Sequence, residues 1–255
     1  MSVLKKYRLE LECLEPGFVY GLGGTECHGL FFAMLANNAV ATKIHDTDSN
    51  PFSLSPLRGS GQRSKGRFHL ESGQRYFFTV AALNREMSEA LIPMLEQVRP
   101  EHNLRLGSAT CRWLKWTLLL ESDYQKLKTR PGEAKHLTIR FSSPTSFRSQ
   151  GQQLLFPEPQ LVFNSLKERW NRCAPECLNL PELDTRLMVS RYQLETSFIK
   201  FSKYGQLGFT GSVEYTFAPY IEPDVKKTII ALAHYAAFAG IGYKTGMGMG
   251  EASLQ

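Results

Sequence analysis

The most biased stretch of this 255-residue chain is residues 240–250, where five of eleven positions are glycine. The glycines are spaced as Gly-x-Gly, five residues, Gly-x-Gly, and Lys244 lies between the two pairs. Glycine tolerates positive φ and close approach of another chain, so successive N–H groups in such a loop can point at the oxygens of an anion. The pattern indicates a phosphate-binding loop. The alternative is a turn that serves only tight packing between a helix and a last strand.

Histidine is the side chain best suited to proton transfer near neutral pH, because its unperturbed pKa is about 6.5. Of the six histidines, His45 lies in a polar segment, residues 42–48, where a loop position leaves a side chain accessible. A solvated loop histidine is the alternative interpretation. His28 begins the apolar stripe of the first predicted helix and is a second candidate, unless it only caps or packs that helix.

Composition indicates a folded protein that favours a polyanionic partner. Hydrophobic residues at 42% and charged residues at 21% are ordinary for a globular chain. The formal net charge of +6 is a mild bias towards polyanions. The densest basic stretch, residues 58–75, reads as a loop with one acidic and five basic residues: Arg58, Arg63, Lys65, Arg67 and Arg75.

The five cysteines are an odd number without paired spacings, which argues against a disulfide framework and for a reducing compartment. Cys173 and Cys177 have neither a partner pair nor a His-x-x-x-His, so we expect no zinc. No cofactor is expected. No stretch approaches the roughly 18 apolar residues of a membrane span, and the N-terminus lacks the apolar core of a signal peptide. We therefore expect a soluble, cytoplasmic protein.

The predicted elements of the first half follow the order β-α-β-β-α-β. Alternating apolar and charged side chains over residues 7–14 predict a strand with one buried face. Next come a helix over 26–40 capped by Thr25, strands over 51–57 and 66–83, a helix from Asn84 or Ser88 to 98, and a strand over 104–120.

After a predicted linker at 128–133, the second half repeats this order loosely. Its predicted elements are a strand over 136–141, a helix over 160–172, strands over 192–203 and 208–217, and a helix over 223–238. The expected fold is therefore α+β, with two tandem ferredoxin-like (RRM-like) βαββαβ domains, residues 1–130 and 131–255.

The sequence resembles the CRISPR-associated endoribonucleases of the RAMP superfamily that process precursor crRNA. The loop fits that family's Gly-hydrophobic-Gly, five residues with a Lys or Arg, Gly-hydrophobic-Gly pattern. Segments similar to other parts of the family follow in family order: 28–31, 44–46, 51–57, 139–148, 156–159, 166–170 and 208–213. The resemblance covers nearly the whole chain. It implies binding of CRISPR repeat RNA, one metal-independent cut per repeat, and delivery of the product to an interference complex.

In this family the 2′-hydroxyl is the nucleophile, so the expected products carry a 2′,3′-cyclic phosphate and a 5′-hydroxyl. The resemblance places His45 at the catalytic histidine position and keeps His28 as the second candidate. Some members also have a tyrosine on the first helix and a lysine after the histidine. Here Phe31 and Phe32 occupy the helix, and Asn50 and Pro51 occupy the lysine region. Lys43, Arg58 or the glycine loop are the candidates for the missing positive charge.

The expected RNA contacts are basic side chains and the glycine loop: Lys43, Arg58, Arg63, Lys65, Arg67, Arg140, Arg148, Gly240, Gly242, Lys244, Gly248 and Gly250. Arg140 and Arg148 rest on the resemblance, and the basic stretch has the alternative of a solvated hairpin. An alternative function is a non-catalytic RAMP-type RNA-binding subunit of an interference complex. A further one is a domain pair that binds a nucleotide or protein. We expect a monomer or a homodimer.

Overall fold

The computed structural model describes residues 3–35, 50–97, 103–130, 134–183 and 186–255. In the first half the strands are β1 Leu4–Glu15, β2 Gly17–Tyr20, β3 Phe52–Leu54, β4 Arg58–Gly59, β5 Arg63–Ser64, β6 Arg67–Leu70, β7 Arg75–Ala82, β8 Asn103–Leu106 and β9 Ala109–Ser122. In the second half they are β10 His136–Thr145, β11 Phe147–Ser149, β12 Gln152–Leu154, β13 Leu187–Lys200, β14 Gly205–Phe217 and β15 Ala252–Leu254. The helices are α1 Gly24–Leu35, α2 Arg85–Gln97, α3 Tyr124–Lys128, α4 Pro159–Cys173 and α5 Pro223–Ala239.

Strand β1 is the centre of the first sheet because its side chains alternate. Tyr7, Leu9 and Leu11 are buried, and the charged residues between them are half-buried. β1 pairs antiparallel with β7 on one side and with β9 on the other, in the sheet order β3-β7-β1-β9-β8. Taken as strands one to four, β1, β3, β7 and β9 lie in the order 2-3-1-4, which is the ferredoxin-like arrangement.

The second sheet repeats the arrangement in the order β13-β14-β10-β15. Helices α4 and α5 pack in its core through Trp170 and Tyr235, whose rings lie 5.2 Å apart, edge to face. β15 follows the glycine loop and pairs with β10, so the loop joins the last helix to the last strand. The predicted pair of ferredoxin-like domains is confirmed. The boundary at residue 130 stays a prediction.

Two of the predicted strands are wrong in extent, because a glycine turn divides each of them. Residues 66–83 form β6 and β7, and the turn between them contains Gly73 with φ 78°. Residues 104–120 form the hairpin of β8 and β9, which reverses at Gly107 with φ 64°. Apolar alternation continues on both sides of each turn, so the sequence reads as one run. β6 belongs to a separate sheet, β2-β6-β5.

The helices follow the predicted pattern with local differences. Asn84 caps α2, since its Oδ1 accepts a hydrogen bond of 2.8 Å from the Met87 amide. α1 begins at Gly24, so Thr25 lies inside its first turn rather than at its cap. The short helix α3, which Asp123 caps through the Lys126 amide, ends at Lys128, the first residue of the expected linker. No helix in the part of the chain that the structure describes is long and apolar enough to cross a membrane.

Glu251, just after the glycine loop, connects the two halves. Its carboxylate accepts a hydrogen bond of 3.4 Å from Lys6 Nζ and pairs with the Arg58 guanidinium. Lys6 Nζ also donates to the Ala237 carbonyl, 3.1 Å away. Burial would raise the pKa of Glu251, but the hydrogen bond and charge of Arg58 and the charge of Lys6 outweigh it and lower that pKa. The carboxylate is therefore held ionised between two cations.

We expect Glu251→Gln to lower the free energy of unfolding by about 2 kcal/mol at neutral pH, because two cations lose their charged acceptor. The depressed pKa means that this stabilisation is present above the ordinary carboxyl pKa and is lost as pH falls through the folded-state value. Urea unfolding of wild type and variant should therefore differ at neutral pH and converge in acid.

The matched control is Glu89→Gln, which removes an exposed carboxylate paired with Arg85 on α2 and should change stability little. A difference between wild type and Glu251→Gln that is equal at neutral and acid pH would contradict the ion-pair explanation.

Candidate nucleic-acid interface

The glycine loop, residues 240–250, turns twice between α5 and β15. Four of its glycines adopt left-handed φ values of 70° to 83°: Gly240, Gly242, Gly248 and Gly250. A Cβ at position 250 would lie 2.1 Å from the Ile241 carbonyl oxygen, so a side chain there is excluded by space as well as by φ. The two Gly-x-Gly pairs therefore lie where the loop makes its two turns.

Most of the predicted phosphate-binding amides of this loop hold the loop itself. The amides of Gly240, Gly242 and Gly250 donate to the Ala236 carbonyl, the Ser165 hydroxyl and the Pro144 carbonyl at 2.9, 2.8 and 3.0 Å. At these positions the glycines shape the backbone, and their N–H groups are engaged. These hydrogen bonds support the alternative interpretation, in which the glycines serve tight packing. RNA contact by these glycines stays a prediction.

The loop also forms the contact with the first half of the chain. A Cβ on Gly24, in the first turn of α1, would lie 1.8 Å from the Met247 carbonyl oxygen. On the other side, the α4 residue Arg169 donates to the Thr245 hydroxyl and to the Phe52 carbonyl of β3. The loop is therefore fixed between α1, β3 and α4.

His28 is the sequence-predicted catalytic candidate that the structure brings to this loop. It lies on α1, half-buried, with Nδ1 3.0 Å from the Gly246 carbonyl oxygen. Its ring packs against those of Phe32 and Phe52, with centroids 4.6 and 5.9 Å away. A carbonyl only accepts hydrogen bonds, so Nδ1 carries the proton. In the neutral ring Nε2 then carries the lone pair.

His45 and Lys43 lie outside the described residues. The described chain ends before them at Leu35 of α1 and resumes after them at Asn50. The Asn50 carbonyl accepts a hydrogen bond of 3.2 Å from Arg169, which also contacts the loop. The role of His45 as a catalytic base or acid stays a prediction.

Two predicted RNA contacts meet at Tyr243, within the glycine loop. The guanidinium of Arg148 lies 4.4 Å from the centre of the Tyr243 ring, and Lys244 Nζ lies 5.1 Å from it. Lys244 Nζ also donates to the Tyr204 hydroxyl and lies 5.4 Å from the centre of the Phe201 ring. These two cations therefore belong to one aromatic cluster on the surface beside the loop.

Three more predicted contacts, Arg63, Lys65 and Arg67, lie on the hairpin of β5 and β6. The sequence predicted a loop here, and the structure shows a short hairpin. Arg63 donates to the Gly21 carbonyl at 2.8 Å and stacks on Phe68. The turn of this hairpin faces Lys200 at the end of β13, since a Cβ on Gly66 would lie 2.6 Å from the Lys200 Cδ. The sequence did not single out Lys200.

The remaining two predicted arginines lie apart from this cluster. Arg58 pairs with Glu251 and is only partly exposed. Arg140 projects from β10 into a separate cleft that also contains Gln193 and Glu195. RNA contact by either residue stays a prediction.

Sequence reasoning missed Arg169 of α4, which is half-buried. Burial lowers the pKa of its guanidinium, which donates to the Phe52 carbonyl of β3 and to the Thr245 hydroxyl. A signal was present, because Arg169 follows Leu166 by three residues and therefore shares the buried face of α4.

Comparison with known proteins agrees with this geometry. A family model described as CRISPR-associated endoribonuclease Cas6 matches residues 139–252, from β10 to β15. A protein named CRISPR-associated endoribonuclease Cas6 from Streptococcus thermophilus is 24% identical over 239 residues, 89% of each chain. A solved Cas6 product complex is 28% identical, with a TM-score of 0.78 over 99% of both chains. The chain is thus similar to Cas6 proteins over nearly its whole length. A Cas6 substrate mimic complex, 26% identical, has a TM-score of 0.69 over 100% of both chains.

The similarity to Cas6 proteins confirms the resemblance drawn from the sequence. The Cas6 family model spans the whole glycine loop and ends at the first residue of β15. The first half, with His28 and the basic hairpin, is included in the match to the Cas6 product complex, which covers 99% of the chain.

We expect Gly24→Ala to separate α1 from the glycine loop, because the added methyl overlaps the Met247 carbonyl. Overpacking of this kind costs about 1–3 kcal/mol of stability, and the shift of the loop should also weaken RNA binding. Thermal unfolding and an RNA-binding titration of the variant measure both effects.

The matched control is Gly29→Ala on the same helix, where an added Cβ meets nothing within 4 Å. It should be neutral or stabilising, since alanine favours the helix over glycine by up to about 1 kcal/mol. Equal behaviour of the two variants would contradict the close approach of helix and loop.

Proposed function

We propose that this chain is an endoribonuclease that cleaves CRISPR repeat RNA into mature crRNA without a metal ion. The observation that carries the proposal is the contact of His28 with the glycine loop, beside the cationic aromatic cluster around Tyr243. This arrangement places a group capable of proton transfer and cationic side chains that can bind phosphate where the two halves of the chain meet. Similarity to the Cas6 endoribonucleases supports the reaction class.

In the proposed reaction the 2′-oxygen of a repeat nucleotide attacks the adjacent phosphorus. A general base takes the 2′-hydroxyl proton, the bond from phosphorus to the 5′-oxygen breaks, and a general acid protonates the leaving oxygen. The products are a 2′,3′-cyclic phosphate and a 5′-hydroxyl. No water or cofactor is consumed, so the protein's tasks are alignment, proton transfer and charge stabilisation.

We assign the proton transfers to His45 and His28. The bond from His28 Nδ1 to the Gly246 carbonyl fixes the ring and its tautomer, so its proton exchange would take place at Nε2. This anchoring couples the orientation of His28 to the shape of the glycine loop. A displaced loop would then impair cleavage as well as binding.

Lys244 and Arg148 supply positive charge for the RNA backbone in this proposal. Such contacts position RNA without reading its sequence and make its affinity depend on salt. Arg63, Lys65 and Arg67 extend the same role along the β5–β6 hairpin. Lys43, Arg58 and Arg140 remain proposed contacts.

One observation favours the alternative of a non-catalytic RAMP-type RNA-binding subunit. Phe31 is fully buried, and its ring centre lies 4.9 Å from that of Phe52. The corresponding part of α1 thus carries aromatic packing where some relatives carry a tyrosine. Cleavage assays separate the two functions.

The partner of either function is CRISPR repeat RNA, and subunits of an interference complex are proposed further partners. The five cysteines are free thiols, which fits the proposed cytoplasmic location. A monomer or homodimer is the proposed oligomeric state.

We expect wild type to cleave its repeat RNA in excess EDTA, and His45→Ala to cleave it at least 10²-fold more slowly. His28→Ala should also slow cleavage, because it removes the group anchored on Gly246. Single-turnover cleavage of end-labelled repeat RNA measures the rates, and the ends of the fragments identify the cyclic phosphate.

His136→Ala is the control, since His136 is exposed at the start of β10. Binding without cleavage by wild type would establish the alternative function. Cleavage that requires added divalent metal would overturn metal independence, and an undiminished rate in His45→Ala would overturn its assignment.

We expect Lys244→Asn to weaken binding of repeat RNA about tenfold, equivalent to roughly 1.4 kcal/mol. Asparagine tolerates the left-handed φ of 60° at this position, so the change removes mainly charge. The slope of log affinity against log salt should also become shallower by about one.

Lys126→Asn on α3 is the matched control, because Lys126 is an exposed lysine paired with Asp123. An unchanged salt slope in Lys244→Asn would show that this ammonium contacts no phosphate.

A further inference from the structure

Phe198 near the end of β13 is a large aromatic side chain held on the surface. Its side chain is 67% exposed, whereas the neighbouring Ile199 is buried on the opposite face of the strand. The outer end of the ring lies against Gly205 of β14, where an added Cβ would come within 1.9 Å of the Phe198 Cζ. Contact with bare backbone orients the ring, and its high exposure leaves much of it accessible.

The surroundings of Phe198 are strongly basic. The ring lines a cleft between the β13–β14 hairpin and the β5–β6 hairpin, with Arg63, Lys65, Arg67 and Lys200. Among the described residues that line this cleft none is acidic. Its volume of about 480 Å³ lies within the roughly 300–1,000 Å³ typical of pockets that hold small organic molecules. The charge selects an anionic occupant.

The cleft is continuous with the glycine-loop surface. Ile199 and Phe201 pack with Met249 of the loop in one small hydrophobic cluster. Lys244 of the loop reaches the hairpin end through the Tyr204 hydroxyl, and Tyr204 stacks on Phe201 at a centroid distance of 4.9 Å. An RNA strand bound at the loop therefore has a cationic path into the cleft beside Phe198.

We propose that Phe198 is a stacking platform for one unpaired base of the bound repeat RNA, with Lys200 and the β5–β6 hairpin holding the flanking phosphates. The proposal rests on the proposed function and adds a specificity element to it. Every base has a π face, so stacking on an aromatic side chain accepts any sequence but requires a base outside a duplex. The site thus recognises a single-stranded nucleotide next to the segment that is cleaved.

The orientation of the ring makes this stacking efficient. A side chain that a neighbour already holds in place loses little freedom on binding, so more of the stacking energy appears as affinity. Gly205 is the residue that allows this orientation. A methyl group there would push the ring off the strand and leave the aromatic group present but misplaced.

The test is a double-mutant cycle that combines a change in the protein at Phe198 with the removal of one base from an uncleavable RNA probe. The probe is repeat RNA with a 2′-deoxy nucleotide at the mapped cleavage position, prepared as a series with one abasic nucleotide at each position in turn. We expect Phe198→Leu to weaken binding of the intact probe about tenfold or more, within the range of base–aromatic stacking. For one unpaired position, the probe that lacks the base there should bind wild type and Phe198→Leu equally, because the base that would stack on Phe198 is already absent.

Gly205→Ala should reproduce the loss on the intact probe while keeping the aromatic ring, with folding checked by circular dichroism and thermal unfolding. Tyr220→Leu is the control, an aromatic residue that is 71% exposed beyond the far end of β14, roughly 30 Å along the strand from Phe198. It should bind every probe as wild type does.

Different results would contradict the proposed function and the stacking platform. If wild type neither binds nor cleaves repeat RNA, the proposed function fails. If wild type binds and cleaves but Phe198→Leu matches it on every probe, the stacking platform is overturned. A loss in Phe198→Leu that is equal for all abasic probes also overturns it, since no single base would then be the partner.

Discussion

The structure depends on the close approach of two backbones, the first turn of α1 and the 3₁₀ turn of the glycine loop. Gly24 and the Met247 carbonyl are too close for any side chain between them. This contact joins an element from each end of the chain and determines where His28 meets the loop. Without this close approach, the histidine of α1 would not meet the glycine turns.

The sequence was informative where a pattern is local. Alternation in β1, the spacing of apolar residues in α4 and α5, and the Asn84 cap each predicted their elements, because each follows from a few consecutive residues. The paired ferredoxin-like topology followed from their order. The glycine turns at Gly73 and Gly107 were not predicted, since strand-like alternation continues across them.

The site could be predicted in part, because its residues come from distant segments. The glycine loop, Lys244 and Arg148 were recognised individually, but their meeting at Tyr243 depends on the tertiary fold. Lys200 and Arg169 have no motif of their own and gain their positions from the hairpin and from the buried face of α4. The hydrogen bonds from the loop amides to Ser165 and Pro144 could not be predicted from the sequence either, because the partners lie in distant segments.

The pair of cations on Tyr243 has a thermodynamic consequence for the free protein. Arg148 and Lys244 both lie close to one ring, so their like charges are within about one Debye length of each other at moderate salt. Their mutual repulsion is a cost that the unliganded fold carries, and a polyanion between them removes it. The repulsion between these two residues therefore opposes the folded state in the free protein and is relieved when a polyanion is bound, so that RNA binding and stability are linked at this ring.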